Sequence, residues 1–513
     1  MEPGTVSGSM AGGKRRVSDE IRSKYRSKYR SEQGKNKKEI RKKQERVMRT
    51  MMWIRNGYVM DPKSGMEGKR DLLIEDGKII KITECMGKHA GECAATGEDR
   101  AMGEGTMASQ GSAGSGCTEA GEVREIDAEG LIVAPGLVDV HVHFREPGFT
   151  YKEDIQTGAR AAAKGGFTTV VLMANTKPAN DNAETLSEVL EKGRQTGIHV
   201  LSCVNVTKGM KGEEIVPMEE LAKAGAVGFT DDGVPILKAE LVREAMKRAK
   251  AIGLPVSFHE EDPKFIENNG VNRGKASEYY GIGGSSRDAE ITLSARDIEI
   301  AKETGADIDI QHISTKEAVE LVRKARAAGY ANVHAEATPH HFTLTEEAAI
   351  KYGTNAKMNP PLREEADRLA IIKGLQDGTI EMIATDHAPH SAEEKARPIT
   401  QAPSGIIGLE TSLALGITEL VDKGYLSMME LLERMSMGPA RVYHLNAGYL
   451  AEGGPADLIL IDKEAEMIPG NYASKASNTP FTGWKLRGRV KMTICSGKIA
   501  WEDEALRGRR ERR

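Results

Sequence analysis

LVDVHVHF, residues 137–144, is apolar and β-branched enough to form a buried strand, and residues two apart in a strand point to one side. His141 and His143 therefore aim their imidazoles at one point. Two neutral imidazoles suit zinc or a similar divalent ion, with carboxylates completing the set and one position left open for water. Two histidines on a core or solvent face would look the same locally, so the case for a metal rests on further ligands.

Those ligands come in an ordered series. FTTVVLMAN (167–175), HVLSCVNV (199–206), AVGFTDD (226–232), PVSFHEED (255–262), DIDIQHIS (307–314), NVHAEATPHH (332–341) and EMIATDHAPH (381–390) follow the opening strand. Amphipathic stretches such as 238–251, 287–302 and 315–328 separate most of them. Eight strand-like segments alternating with helices predict an α/β fold, a (β/α)8 TIM barrel over residues 135–449. Active sites of that fold sit at the C-terminal ends of the strands. His141 and His143 occupy that end of the first strand, Asp232 of the fourth, His259 of the fifth, His312 of the sixth and Asp386 of the eighth. Scattered structural histidines have no reason to do this.

HVHFREPG (141–148) and ATDHAPHSAEEK (384–395) resemble the two signatures of the dihydroorotases of the amidohydrolase superfamily, bacterial class I type. Between them MANTKPAND (173–181), TDDG (230–233), FHEED (258–262), QHIST (311–315), TPHH (338–341) and MNPPLR (358–363) are similar to that family's blocks, in its order. The resemblance runs from about residue 52 to about residue 501. It implies reversible cyclisation of N-carbamoyl-L-aspartate to L-dihydroorotate in de novo pyrimidine (UMP) biosynthesis. The implied centre is binuclear, with Zn2+ expected, two per subunit, and a bridging hydroxide. His141, His143, Asp232, His259, His312 and Asp386 match the ligands. Asp386 is also the implied general base, passing its proton to the leaving nitrogen; a role as ligand alone stays open. The resemblance further implies a cytoplasmic homodimer, possible association with aspartate carbamoyltransferase, and no nucleic-acid or membrane partner.

Many relatives, hydantoinases and allantoinases among them, bridge their ions with a carboxylated lysine on the fourth strand. Here that strand reads GFTDDG, with no lysine before Lys238, and the resemblance assigns the bridge to Asp232. Neighbouring strand residues point to opposite sides, which leaves Asp231 as a loop-capping carboxylate. Substrate contacts are implied for His143, Arg145, Asn175, Asn359, His390, Ser404 and Gly405. Arg145 can fork onto a carboxylate, with a surface ion pair as its plainer alternative. Asn175 and Asn359 stand near prolines or glycines and could instead be turn formers. Relatives often place a phenylalanine where Ser404 stands, so ring packing differs there, while the Gly405 backbone is still expected to hold the ring. His334, His340 and His341 are expected to pack or support, His387 to face away, and His89, His199 and His444 carry no signal. A hydantoinase-like or allantoinase-like enzyme and a non-catalytic scaffold subunit are the competing readings.

Outside the barrel, residues 52–134 and 450–502 read as short alternating strands, expected to form one small β-sandwich built from both ends of the chain. Residues 1–50, basic and carrying a duplicated SKYR, are expected to be a disordered tail. Residues 85–121, rich in Gly, Ala and Ser, are expected to be a flexible insertion, and the spacing of Cys85, Cys93 and Cys117 fits no compact zinc pattern. Cys203 and Cys495 lie in strand-like segments and are expected to be buried. Five cysteines with no export signal fit a reducing cytoplasm, and no apolar run is long enough to cross a bilayer. The net charge of -4 over 513 residues is unremarkable and hides a basic tail against a more acidic body; a cationic tail that binds nucleic acid or an acidic membrane surface is the alternative to the disordered one.

Overall fold

The computed structural model describes residues 51–85, 123–504 and 506. The expected tail lies outside them, as does the expected insertion apart from Cys85, and with it His89, Cys93 and Cys117.

Five strands precede the barrel: β1 (Met51–Asp61), β2 (Met66–Glu75), β3 (Lys78–Glu84), β4 (Val123–Asp127) and β5 (Ile132–Pro135). The barrel strands are β6 (Leu137–Val142), β7 (Phe167–Leu172), β8 (His199–Ser202), β9 (Phe229–Thr230), β10 (Val256–Phe258), β11 (Ile308–Ile310), β12 (Val333–Ala337) and β13 (Met382–Ile383). Three follow it: β14 (Leu458–Met467), β15 (Leu486–Cys495) and β16 (Lys498–Glu502).

All pairings within β6 to β8 and within β9 to β13 are parallel. Single parallel bridges, Val204 to Phe229 and Val142 to His387, join these two sheets at both seams. The strands thus form a ring in which every C-terminal end faces the same way. Helices cover the outside, and each is placed by its sequence. In Ala239–Ile252 the buried Val242, Ala245, Met246 and Ala249 recur every three or four residues, the stripe a helix needs to lie on a sheet. Helix Ile155–Gly165 starts at a capping box between Asp154 and Thr157 and ends at Gly166, whose φ of 94° only glycine adopts freely.

The small β domain is built from strands at both ends of the chain. Its strands form one continuous eight-stranded sheet, in the order β16-β15-β14-β5-β1-β2-β3 with β4 against β1. The sheet bends until Ile79 exchanges backbone hydrogen bonds with Gly453 and Gly454, just ahead of β14. Period-two alternation explains how it joins the barrel. Along LILI at the start of β14, Leu458 and Leu460 pack into the sheet's own core, while Ile459 and Ile461 pack into the barrel's. A continuous apolar run is what a strand buried on both faces requires.

β12 also carries a buried ion pair away from the ligands. His334 Nδ1 lies 2.5 Å from Glu381 Oε2, and Arg326 pairs with the same carboxylate. Burial alone would lower the imidazole's pKa, but Asp307 and Glu381 raise it to about 9. Stability from this pair is fully present below the unfolded value near 6.5 and is lost as pH rises through 9. His334→Gln should therefore cost on the order of 1–3 kcal/mol at pH 6, measured by urea unfolding. The difference should shrink toward pH 10, and a pH-independent cost would count against the pair's titration.

Candidate active site and metal centre

Each expected ligand sits at or just past the C-terminal end of its strand, and the ring brings all six together. His141 lies on β6 and His143 just beyond it; Asp232, His259, His312 and Asp386 follow β9, β10, β11 and β13. Two groups of ligand atoms result, His141 with His143 and Asp232, and Asp232 with His259 and His312, each within 4.8 Å. Asp232 is common to both. Its Oδ2 is 3.4 Å from His143 Nε2, and its Oδ1 is 3.5 Å from His141 Nε2 and 3.7 Å from both His259 Nδ1 and His312 Nε2. Asp386 Oδ1 completes the first group, 3.0 Å from His143 Nε2 and 3.6 Å from His141 Nε2. Asp231 instead turns away and accepts the Val206 and Thr207 backbone N–H groups.

The chemistry of these donors fits divalent cations. His141 Nδ1 is 2.5 Å from Glu336 Oε1, so that nitrogen holds the proton and Nε2 offers its lone pair. Nε2 is buried with no hydrogen-bond partner among the described residues, an orphan that a cation would satisfy. His143 donates from Nδ1 to Asn175 Oδ1 at 2.9 Å, and His259 from Nε2 to Glu261 Oε2 at 3.1 Å, leaving Nε2 and Nδ1 respectively toward the cluster. Burial would raise Asp232's pKa, but His141 foremost, with His259 and His312, holds it well below the usual range. Burial is likewise outweighed at Asp386 by its contact with His143 and by the other imidazoles that face it, so its carboxylate stays ionised.

Arg145, His312 and Asp386 have φ of 59°, 35° and 47°, left-handed backbone at three functional positions. Asp139 secures the last of these. Its Oδ1 accepts the His141 N–H at 3.1 Å and the Thr385 N–H at 3.2 Å, tying the first and eighth strands together beside Asp386.

Arg145, Asn175, Asn359, Ser404 and Gly405 line the cleft above the cluster. Arg145 is half-buried; its Nε donates to Pro389 O at 3.2 Å, and no carboxylate among the described residues pairs with it. His390 sits behind it and donates from Nε2 to Ser404 O at 2.8 Å, while Lys152 donates to its Nδ1 at 3.2 Å. Burial, Arg145, Lys152 and Lys395 keep this imidazole neutral. Asn175 does more than line the cleft, since its Nδ2 also donates to Asp232 Oδ2 at 3.0 Å. Asn359 Oδ1 has no partner among the described residues. Gly405 N–H donates to Lys357 O, and its carbonyl accepts from Lys395 and Asn478, so its backbone groups are engaged within the protein and shape the wall. A Cβ there would come within 2.6 Å of Ala388 Cβ, so only glycine fits.

Sequence reasoning missed Glu336, Glu261 and Asp139. Glu336 lies on the seventh strand, which supplies no expected ligand, and a carboxylate at a buried position of a central strand was the signal that could have found it. His387 faces away, accepting the Gly408 N–H at 3.2 Å, and His341 is held by Thr338 and Pro360.

Residues 132–500 match the amidohydrolase family, and the chain belongs to it. The dihydroorotase of Clostridioides difficile is 52% identical over 452 residues, 88% of this chain and 100% of that protein. That of Clostridium acetobutylicum is 47% identical over 456 residues, again 88% of this chain and all of the relative, 100%. Within the amidohydrolases the chain's place is therefore among the dihydroorotases. Among solved structures, the L-hydantoinase (dihydropyrimidinase) from Arthrobacter aurescens superposes with a TM-score of 0.72 at 24% identity, covering 88% of this chain and 96% of that one. At that identity the likeness shows the shared fold. Among the described residues no helix is long and apolar enough to cross a membrane.

Proposed function

We propose that this cleft interconverts N-carbamoyl-L-aspartate and L-dihydroorotate, with His141, His143, Asp232, His259, His312 and Asp386 holding two zinc ions. The observation that carries this reading is the Arg145 guanidinium, which opens on the cleft beside the shared-carboxylate cluster and pairs with no carboxylate among the described residues. A substrate carboxylate supplies the missing partner, and a guanidinium grips it bidentately. When bound, the metal pair supplies Lewis acidity and a nucleophilic water at neutral pH.

The chain's own groups do the rest. Arg145, braced by Pro389 O, fixes the substrate carboxylate, and Asn359 Oδ1 is free to accept a ring N–H. Asp386 Oδ1 faces His143, so Oδ2 is the atom placed to take a proton from the attacking water and return it to the leaving nitrogen. Asn175 holds His143 and Asp232 in register while this happens. Against a hydantoinase-type centre, Asp232 occupies the shared position, while Lys238 is exposed at the N-cap of helix Ala239–Ile252. A homodimer, association with aspartate carbamoyltransferase and a cytoplasmic setting complete the proposal and rest on the family likeness.

Purified protein should turn over dihydroorotate, lose that activity to a chelator and regain it with Zn2+. Preference for hydantoin or allantoin, or activity indifferent to the chelator, would overturn the assignment. Arg145→Met should raise KM for dihydroorotate about 10- to 100-fold, the worth of a charged hydrogen bond, with metal content unchanged. An unaltered KM removes Arg145 from the carboxylate site.

A further inference from the structure

Far from the cleft's ligands in sequence, His199, Asp457 and Cys495 bring a nitrogen, a carboxylate oxygen and a sulfur within 4.8 Å of one another. His199 opens β8, Asp457 immediately precedes β14, and Cys495 closes β15, so the cluster lies on the seam between the barrel and the eight-stranded sheet. Asp457 is already aimed. Its Oδ1 accepts the Ser496 N–H at 2.6 Å, which fixes the carboxylate's rotation and leaves Oδ2 facing His199 Nε2 at 2.9 Å. Cys495 is buried, and its thiol lies 3.7 Å from Thr168 O as well as beside His199 and Asp457. The His199 side chain is 41% exposed, so solvent reaches the cluster past the imidazole.

We propose that His199 Nε2, Asp457 Oδ2 and Cys495 Sγ form a further metal site, separate from the catalytic cluster, for one zinc ion or a divalent ion of similar softness. Thiolate, imidazole and carboxylate are all donors zinc accepts, and three protein ligands leave one tetrahedral position for a water entering past His199. Metal binding replaces the hydrogen bond between His199 and Asp457, displaces the thiol proton and the His199 Nε2 proton to solvent, and forms bonds to sulfur and nitrogen without any redox change. Because His199 stands on a barrel strand while Asp457 and Cys495 stand at the ends of strands of the β domain, the ion would act as a clamp between the two.

None of the six catalytic-cluster ligands is a cysteine, so a thiolate-to-cobalt charge-transfer band distinguishes the two sites. The full chain, stripped with a chelator and titrated with Co2+, should develop this band together with one equivalent of metal beyond that taken by the catalytic cluster. The band should be lost in Cys495→Ser and in His199→Ala, while both variants keep wild-type turnover of dihydroorotate and a wild-type circular dichroism spectrum. Zn2+ should also raise the wild-type Tm by more than it raises that of His199→Ala. The proposal is overturned if the wild type shows no thiolate band, or if the band survives Cys495→Ser and so belongs to another cysteine. Neither result touches the catalytic assignment, which is read from turnover.

Discussion

Asp386→Asn lowers kcat by roughly 10^2- to 10^4-fold, the range over which a positioned general base contributes, while circular dichroism and Tm stay at their wild-type values. The amide is isosteric, and its Oδ1 can still face His143 Nε2, which Asp386 Oδ1 meets at 3.0 Å. What it loses is the ability to accept a proton at the second position. Asp386 is suited to that task because it is buried yet ionised, held so by the imidazoles around it. A variant within tenfold of wild-type kcat would place the base elsewhere and leave Asp386 as a ligand alone.

Asp232→Ala removes the one carboxylate common to both ligand groups, so metal content measured after purification should fall from about two ions per chain to below one, with activity lost. The effect should exceed that of losing any single histidine, because each histidine belongs to only one group. Asp231→Ala is the control. Asp231 faces the Val206 and Thr207 N–H groups, so its loss should lower stability by about 1–3 kcal/mol and leave metal content intact. Retention of two ions in Asp232→Ala would show that the shared carboxylate is not what holds the pair.

The ligand set was legible because two local rules combine. Side chains alternate along a strand, which put His141 and His143 on one side, and strand alternating with helix implied a barrel whose C-terminal ends converge. The choice of Asp232 over Asp231 needed the family likeness in addition, since both lie at the end of the same short strand. The groups that orient the ligands were not legible. Glu336 meets His141 across 195 residues of chain, and Asn175 reaches Asp232 across 57. No spacing rule spans such separations. Gly405 shows the same limit from the other side: its place in the cleft was expected, but the engagement of its N–H with Lys357 O depends on where a distant loop packs. His199 carried no signal at all, because a histidine at the start of a strand gains meaning only when Cys495 and Asp457 arrive beside it.

By itself the sequence determined the barrel, the identity of the side chains at its strand ends and the shared side of His141 and His143, since these follow from backbone geometry within a few residues. Tertiary structure alone decided which nitrogen of His141 keeps its proton, that Arg145 pairs with no carboxylate among the described residues, and that the sheet folds as one bent piece against the barrel. Those outcomes depend on distances between strands that only ring closure sets, and a hydrogen bond or coordination bond forms or fails over a fraction of an ångström.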